Sequence, residues 1–222
     1  MGHPPHEIDW RAGGVPVSRR FDDPFYSLED GLAEARHVFL GGNDLPARFR
    51  PGFHIAELGF GTGLNLVAAA LAWSGAGIAG PLRFTSFEAF PLAGMDARAA
   101  LAAFPEAAPL ADAIAAALDG DGRVETPGLS LRIVEGDARR TVPAWDGAAD
   151  AWFLDGFAPA RNPDLWEPAL LAAVARRTRR GGTCATYSAA GAVRAALDAA
   201  GFTVARAPGY GRKRHMVRGV RA

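Results

Sequence analysis

Short apolar segments alternate with stretches of helical periodicity from residue 53 onward. Short apolar runs bounded by glycine or polar residues favour strands, whereas apolar positions three or four residues apart favour helices. The pattern predicts strands over residues 54–58, 83–88, 129–134, 149–154, 183–187, 202–206 and 215–220. It predicts helices over residues 64–73, 93–104, 112–118, 164–178 and 190–200. The predicted fold class is therefore α/β, a mostly parallel seven-stranded sheet with helices on both faces.

The last two predicted strands are separated only by residues 207–214. So short a connection can join antiparallel strands but not parallel ones. We therefore expect the sheet to end in an antiparallel hairpin. Residues 1–52 lack the alternation and contain one predicted helix, over residues 29–40. We expect them to form an N-terminal extension that packs on a single domain of residues 53–222.

The composition is that of an ordinary globular domain, with 49% apolar residues. The sequence has no uninterrupted apolar run of about 18 residues, the length that indicates a membrane span. Residues 1–20 contain no apolar signal-peptide core. The single cysteine, Cys184, cannot form an internal disulfide. These features together predict a cytoplasmic protein.

Charge is distributed unevenly along the chain. The formal net charge is zero, yet residues 1–150 carry −8 and residues 151–222 carry +8. Most of the late cations fall into two groups, Arg176, Arg177, Arg179 and Arg180, and then Arg206, Arg212, Lys213, Arg214, Arg218 and Arg221. Clustered cations gain from phosphate contacts and counterion release, which favours a nucleic-acid partner. A solvated helix end followed by a basic edge strand is the alternative.

A glycine-rich segment, Glu57-Leu-Gly-Phe-Gly-Thr-Gly-Leu-Asn65, joins the first predicted strand to the first predicted helix of the sheet. Glycines there permit a tight turn and close approach of a ligand to the backbone. A dinucleotide fingerprint needs a glycine at position 64, which is Leu64. The spacing instead resembles motif one of S-adenosylmethionine methyltransferases, and the predicted sheet resembles their Rossmann-like class I fold. This resemblance implies that the cofactor contacts Glu57, Gly59, Phe60, Gly61, Gly63 and Asn65; a purely structural turn is the alternative.

Acidic residues follow the next two strands. Glu88 ends the second strand, and in the methyltransferase layout it would accept hydrogen bonds from both ribose hydroxyls of the cofactor. Asp137 follows the third strand and would bond the exocyclic amine of adenine. The alternatives are a surface role for Glu88 and a helix N-cap for Asp137, which could serve both purposes.

The fourth strand leads into Leu154-Asp-Gly-Phe157. Sites in open α/β sheets form at the carboxyl ends of central strands. An acid followed two residues later by an aromatic resembles the Asp-Pro-Pro-Tyr motif of amino-group methyltransferases. The resemblance implies that Asp155 is catalytic, orienting the substrate amine, and that it also contacts the cofactor. It further implies that Phe157 walls the pocket or stacks on a base. A turn aspartate and a packed phenylalanine are the alternatives.

The histidines give no sign of a metal centre. His3, His6, His37, His54 and His215 are scattered along the chain. No two of them have the spacing of metal ligands on one helix, so we expect no metal. A Gly-x-Ser-x-Gly nucleophile segment is also missing from the sequence.

Several longer sequence segments indicate a particular family within the methyltransferases. They are Phe21-Asp-Asp23, Phe25-Tyr-Ser27, Gly31-Leu-Ala-Glu34, Gly42-Asn-Asp-Leu45, Phe87-Glu88, Trp152-Phe-Leu-Asp-Gly-Phe-Ala-Pro-Ala160 and Gly209-Tyr-Gly-Arg-Lys-Arg214. Together with the glycine segment, they resemble the methyltransferase part of the MnmC family of tRNA wobble-uridine modification enzymes. The resemblance extends over residues 10–220.

The family resemblance implies a reaction. The amine of 5-aminomethyl-(2-thio)uridine at the wobble position of tRNA would receive a methyl group from S-adenosylmethionine, giving 5-methylaminomethyl-(2-thio)uridine. Bifunctional members also carry a flavin-dependent oxidase domain that exposes this amine. We expect either that a separate oxidase supplies the amine here or that the substrate differs. The anticodon arm is the expected partner. The candidate substrate-binding residues are Tyr26, Phe157, Tyr187, Arg212, Lys213 and Arg214, with the last three on phosphates.

Other functions remain open at this point. A methyltransferase acting on a small-molecule or protein amine would use the same cofactor residues without a basic face. A tRNA-binding protein without methyltransferase activity would also carry the cations found after residue 150. A nicotinamide oxidoreductase is disfavoured by Leu64.

Overall fold

A small antiparallel sheet begins the structure, a computed structural model that describes residues 6–11, 14–27, 30–211 and 213–222. Its strands are β1 (Ile8–Arg11), β2 (Val15–Ser18) and β3 (Asp23–Pro24). The sequence analysis did not predict these strands. They are two to four residues long and include Pro16 and Pro24, so they present no apolar alternation.

Eight strands form the central sheet. They are β4 (His54–Leu58), β5 (Leu82–Glu88), β6 (Arg123–Glu125), β7 (Leu129–Glu135), β8 (Ala149–Leu154), β9 (Thr178–Thr186), β10 (Phe202–Pro208) and β11 (His215–Arg221). Their order is β10-β11-β9-β8-β4-β5-β7-β6. The strands from β9 to β7 in this order are parallel, and β11 is antiparallel to both β9 and β10. The predicted α/β class and the closing hairpin are therefore confirmed.

The predicted number of seven strands is wrong by one. The additional strand is β6, which pairs antiparallel with β7 at the edge of the sheet. It has only three residues, Arg-Val-Glu, and both charged residues are exposed. So short and polar a segment carries no periodic signal.

Seven α-helices connect the strands. They are α1 (Gly31–Ala35), α2 (Leu64–Ala76), α3 (Gly94–Leu101), α4 (Ala108–Asp119), α5 (Ala138–Ala144), α6 (Pro168–Arg176) and α7 (Gly191–Ala199), among the described residues. Helix α1 continues into a π-helical turn, Arg36–Gly41. Residue 29, where the first helix was expected to begin, lies outside the described residues.

The predicted helix over residues 164–178 is wrong in its extent. A 3₁₀ turn occupies Pro163–Trp166, and α6 begins separately at Pro168. Proline has no N–H to donate within a helix but suits its first position, so it starts a new helix here. The helix ends at Arg176, and β9 begins at Thr178 rather than at the predicted residue 183.

Two apolar layers cover the faces of the central sheet. Phe153 of β8 packs with α2 on one face, while its neighbours Trp152 and Leu154 pack with α6 on the other. Alternate side chains of a strand point to opposite faces, so β8 is buried along its whole length. A strand covered on both sides fixes the residue that follows it, Asp155, at the carboxyl edge of the sheet.

The segment before residue 53 packs against this framework. The backbone N–H of His6 donates to Pro91, and the Asn43 amide donates to the carbonyl of Trp152 in the sheet. The division of the chain at residue 52 stays a prediction, and these contacts support it. Within the described part of the chain, no helix has the length and apolar character needed to cross a membrane.

Candidate active site

A cavity of about 1000 Å³ opens at the carboxyl ends of β4, β5 and β8. The loops that follow parallel strands meet at this edge, which brings together groups that are far apart in sequence. The predicted residues that line it are Tyr26, Phe60, Gly61, Gly59, Asn65, Glu88, Asp137, Asp155, Phe157, Tyr187 and Lys213. Glu57, Gly63 and Arg214 are not among the lining residues, and Arg212 lies outside the described residues.

The turn between β4 and α2 exposes backbone to this cavity. Gly59 has φ +79°, and a Cβ there would lie 3.1 Å from the carbonyl oxygen of Asp155. Gly63 has φ +82° and caps α2, which begins at Leu64. Both positions are left-handed, a conformation that favours glycine over every other residue. The turn therefore approaches the loop after β8 more closely than a side chain would allow.

Glu57 lies beneath this turn and is fully buried. Its carboxyl group accepts hydrogen bonds from Asn65 Nδ2 at 2.9 Å and Ser86 Oγ at 2.7 Å. Burial raises its pKa well above the usual range of a glutamate. The structure therefore shows Glu57 bonded to neighbouring side chains, behind the wall of the cavity.

Glu88 closes the cavity at the end of β5. Its Oε2 accepts from the backbone N–H of Gly61 at 3.2 Å, and its Oε1 accepts from that of Phe90 at 2.8 Å. A carboxylate has about four acceptor positions, so these two bonds leave room for two further donors. Glu88 is therefore oriented by the backbone of two loops and lines the cavity, which is not the geometry of a surface residue.

Asp137 caps helix α5, accepting from the backbone N–H of Arg139 at 2.9 Å. The Arg139 guanidinium also pairs with it at 2.7 Å and reaches Glu167 at 2.9 Å. The hydrogen bond from the side chain of Arg139 is the main reason why the pKa of Asp137 is lowered. The N-cap alternative is thus present in the structure, and Asp137 lines the cavity at the same time.

Asp155 follows β8 directly and is held on both oxygens. Its Oδ2 accepts from Asn65 Nδ2 at 2.6 Å, and its Oδ1 accepts from the backbone N–H of Gly156 at 2.8 Å. Burial raises its pKa to about 6. Lys213 acts in the opposite direction and lowers this pKa, whereas Glu34 raises it. The carboxyl group is therefore mainly ionised at neutral pH but close to its midpoint.

We expect the side chain of Asp155 to titrate near pH 6, and not near the 3.9 of an ordinary aspartate. A raised pKa means that the charged form is present above pH 6 and is lost as the pH falls through that value. Carbon-13 NMR of protein labelled at the aspartate carboxyl carbons would measure this, with Asp155→Asn identifying the signal. A midpoint below pH 5 would contradict it.

Phe157 belongs to an aromatic cluster formed largely by the N-terminal segment. Its ring stacks on Phe21 with centroids 4.7 Å apart and meets the edge of Phe25 at 5.1 Å. The His6 ring lies 6.1 Å away and bonds Ser18 Oγ through Nε2 at 2.6 Å. His6, Phe21 and Phe25 also line the cavity, and the sequence analysis did not assign them to the site.

Two tyrosines line the cavity with their hydroxyl groups already bonded. The Tyr26 hydroxyl shares its one hydrogen between the carbonyl oxygens of Gly14 and Ala100, 3.2 Å from each, and burial raises its pKa to about 12. Tyr187 donates to the carbonyl of Gly156, beside Asp155, and burial raises its pKa well above the usual range. Only their rings are therefore presented to a ligand.

The loop of the C-terminal hairpin reaches this same site. The Lys213 ammonium lies 3.9 Å from the centre of the Tyr187 ring and pairs with Glu34 at 2.7 Å. Glu34, on α1, was not predicted to be a site residue. Arg214 is exposed beyond the cavity.

The fold and the site define a class of protein. A glycine turn after the first parallel strand, an acid at the end of the second and a carboxylate after the fourth surround one cavity, as in Rossmann-like methyltransferases. A family model described as S-adenosyl-L-methionine-dependent methyltransferase matches residues 101–222. The chain belongs to this family, and S-adenosylmethionine is its cofactor. The predicted class of enzyme is confirmed.

The more specific resemblance to MnmC is confirmed as well. The chain is 45% identical, over 96% of its length, to the tRNA 5-methylaminomethyl-2-thiouridine biosynthesis bifunctional protein MnmC of Pseudomonas aeruginosa strain UCBPP-PA14. It is 44% identical, over 95% of its length, to the MnmC protein of Caulobacter sp. strain K31. It spans only 34% and 37% of these relatives. The crystal structure of MnmC2 from Aquifex aeolicus has a TM-score of 0.75 and 26% identity, covering 98% of this chain and 70% of that one.

Proposed function

We propose that the protein methylates the amine of 5-aminomethyl-(2-thio)uridine at the wobble position of tRNA. The observation that carries this proposal is the 44–45% identity to MnmC proteins over nearly the whole chain. The name of those relatives specifies 5-methylaminomethyl-2-thiouridine, the product of such a transfer. The excess of cations after residue 150 fits an RNA substrate.

The residues of the cavity fit S-adenosylmethionine. Glu88 offers two acceptor positions to a pair of hydroxyl groups, and Gly59 and Gly61, which have no side chains, line the cavity. We propose that Phe60 and Asp137 complete this subsite, with Glu57 and Gly63 supporting it from behind. When bound, S-adenosylmethionine supplies an electrophilic methyl group on a sulfonium.

Asp155 orients the substrate amine for methyl transfer. An ammonium has no lone pair, so the substrate nitrogen must be neutral when the new bond forms. The Asp155 carboxylate accepts one N–H and thereby directs the lone pair, and its negative charge stabilises the positive charge that develops on nitrogen. We propose that the rings of Tyr26, Phe157 and Tyr187 enclose the base and exclude water.

The proposed substrate must be made by another activity. The similar MnmC proteins are named bifunctional, and this chain matches about one third of their length. We propose that a flavin-dependent oxidase activity exposes the amine and that the two activities meet on the same tRNA.

The charge of the hairpin loop is proposed to hold the anticodon arm. Lys213 is paired with Glu34 in the cavity wall, which leaves Arg212 and Arg214 as the cleaner test of phosphate binding. We expect Arg212→Ala/Arg214→Ala to weaken tRNA binding and to reduce the slope of log affinity against log salt by about 0.7–0.9 for each phosphate that these arginines neutralise. Filter binding at several salt concentrations would measure it.

A double variant from the other cationic group provides the control. Arg176 and Arg180 are exposed near the start of β9, at the opposite end of the sheet from the cavity. Arg176→Ala/Arg180→Ala should leave the salt slope of tRNA binding unchanged. If only this second variant flattens the slope, RNA binds at the opposite end and the docking proposal is wrong.

The direct test of the function is methyl transfer to defined tRNA. The purified protein should transfer labelled methyl groups to tRNA carrying 5-aminomethyl-2-thiouridine, and mass spectrometry of its nucleosides should show 5-methylaminomethyl-2-thiouridine. The same tRNA without the aminomethyl group should stay unlabelled. Transfer to small amines or proteins in place of tRNA would contradict the proposal.

A further inference from the structure

Asn65 joins the buried carboxyl group of Glu57 and the half-buried carboxyl group of Asp155 through one nitrogen. Its Nδ2 lies 2.9 Å from Glu57 Oε1 and 2.6 Å from Asp155 Oδ2, and its side chain is almost fully buried. A carboxamide nitrogen has two hydrogens, so both are committed to these bonds. Asn65 is the second residue of α2, and the glycine turn places it between the ends of β4 and β8.

The two hydrogen bonds from Asn65 affect the electrostatics of two neighbouring carboxyl groups. β4 and β8 are adjacent parallel strands, with Leu58 opposite Leu154, so Glu57 and Asp155 lie close together. Burial, and to a smaller extent the charge of Asp155, raises the pKa of Glu57, so ionisation of both carboxyl groups at once is unfavourable. A neutral group that donates to both carboxyl groups reduces this penalty. The second oxygen of Asp155 is held by the N–H of Gly156, so the carboxylate has a fixed orientation.

We infer that Asn65 is a positioning residue for Asp155, fixing the carboxylate toward the substrate amine, beyond any contact that Asn65 makes with the cofactor. The inference rests on the proposed amine methyl transfer for its effect on rate. Its structural part, control of the Asp155 carboxyl group by the Asn65 amide, can be measured without substrate.

Removing the amide should change how Asp155 titrates. Other charged or titratable groups around Asp155 are Glu57 on β4, Glu34 on α1, Tyr187 after β9 and Lys213 in the hairpin loop. A donor to the charged form lowers a pKa, so its loss raises it. Asn65→Leu keeps the branched shape without the donors, and we expect it to move the Asp155 titration upward by about one pH unit or more.

The rate and the affinity should respond differently. A misplaced reacting group costs up to about 100-fold in rate, so Asn65→Leu should lower kcat about tenfold or more, a larger factor than any loss of cofactor affinity. Asn65→Ser, which keeps one donor, should lie between wild type and Asn65→Leu, and it serves as the test if the leucine variant does not fold. Calorimetry with S-adenosylmethionine, single-turnover transfer and carbon-13 NMR of the aspartate carboxyls supply the three measurements.

Asn43 provides the matched control. It is another buried amide, donating to the carbonyls of Phe39 at 2.9 Å and Trp152 at 3.3 Å, outside the cavity. Asn43→Leu should lower Tm but leave the Asp155 titration unchanged. If Asn65→Leu behaves in the same way, or weakens cofactor binding while kcat is kept, the inference is overturned. If the wild type methylates no tRNA, the proposed function fails, and the titration still decides the role of Asn65.

Discussion

Replacing Asp155 with asparagine is expected to lower the rate of methyl transfer by about 100- to 1000-fold, the usual effect of removing one group that stabilises developing charge. Asparagine keeps the shape and one of the two acceptor oxygens, so it retains the bond from either Asn65 or the N–H of Gly156, and most of the loop after β8 should be preserved. It loses the negative charge beside the amine. Single-turnover kinetics with saturating S-adenosylmethionine would measure the loss.

Cofactor binding separates this effect from misfolding. Asp155→Asn should bind S-adenosylmethionine with nearly wild-type affinity and unfold at a similar temperature. Asp146→Asn removes a charge from an exposed position before β8 and should transfer methyl groups at the wild-type rate. An Asp155→Asn enzyme with the same rate as Asp146→Asn would show that Asp155 does not orient the amine.

The second large effect is expected at Glu88. Glu88→Ala removes the proposed acceptor for two hydroxyl groups, and it also frees the backbone N–H groups of Gly61 and Phe90. A hydrogen bond to a charged group contributes about 1.5–3 kcal/mol, so affinity for S-adenosylmethionine should fall roughly 10- to 150-fold. Isothermal titration calorimetry would measure it.

Glu88→Gln is the matched variant for this prediction. It keeps the length of the side chain and one acceptor oxygen, so its affinity for the cofactor should lie between those of wild type and Glu88→Ala. Wild-type affinity in Glu88→Ala would remove Glu88 from the proposed cofactor site.

The acidic site residues at the ends of strands could be predicted from the sequence. Glu88 ends a predicted parallel strand, and Asp137 and Asp155 lie within three residues of the end of one, so topology alone brings these positions to one edge. The structure places all three on the cavity. Sequence reasoning could not distinguish Asn65 as a bridge between carboxyl groups, because a hydrogen bond across 90 residues leaves no local pattern.

The site residues of the N-terminal segment could not be predicted in this way. His6, Phe21 and Phe25 lie in a segment with short strands and no periodicity, so the hydrophobic pattern did not predict that they would lie near the carboxyl edge of the central sheet. The charge count placed Lys213 among phosphate ligands, but its ammonium pairs with Glu34. A count of charges carries no information on the direction in which a long side chain points, and only the packing of the hairpin loop against α1 decides it.

The aromatic cluster and the Glu34–Lys213 pair also determine when the site can be completed during synthesis. Glu34 leaves the ribosome 179 residues before its partner Lys213. At about 5–20 residues per second, this interval is roughly 10–35 s. Phe21 and Phe25 have no Phe157 to pack against during most of that time. Nascent chains stalled before β8 should therefore present these rings to chaperones and proteases, and the cavity should acquire its full wall only when the hairpin has emerged.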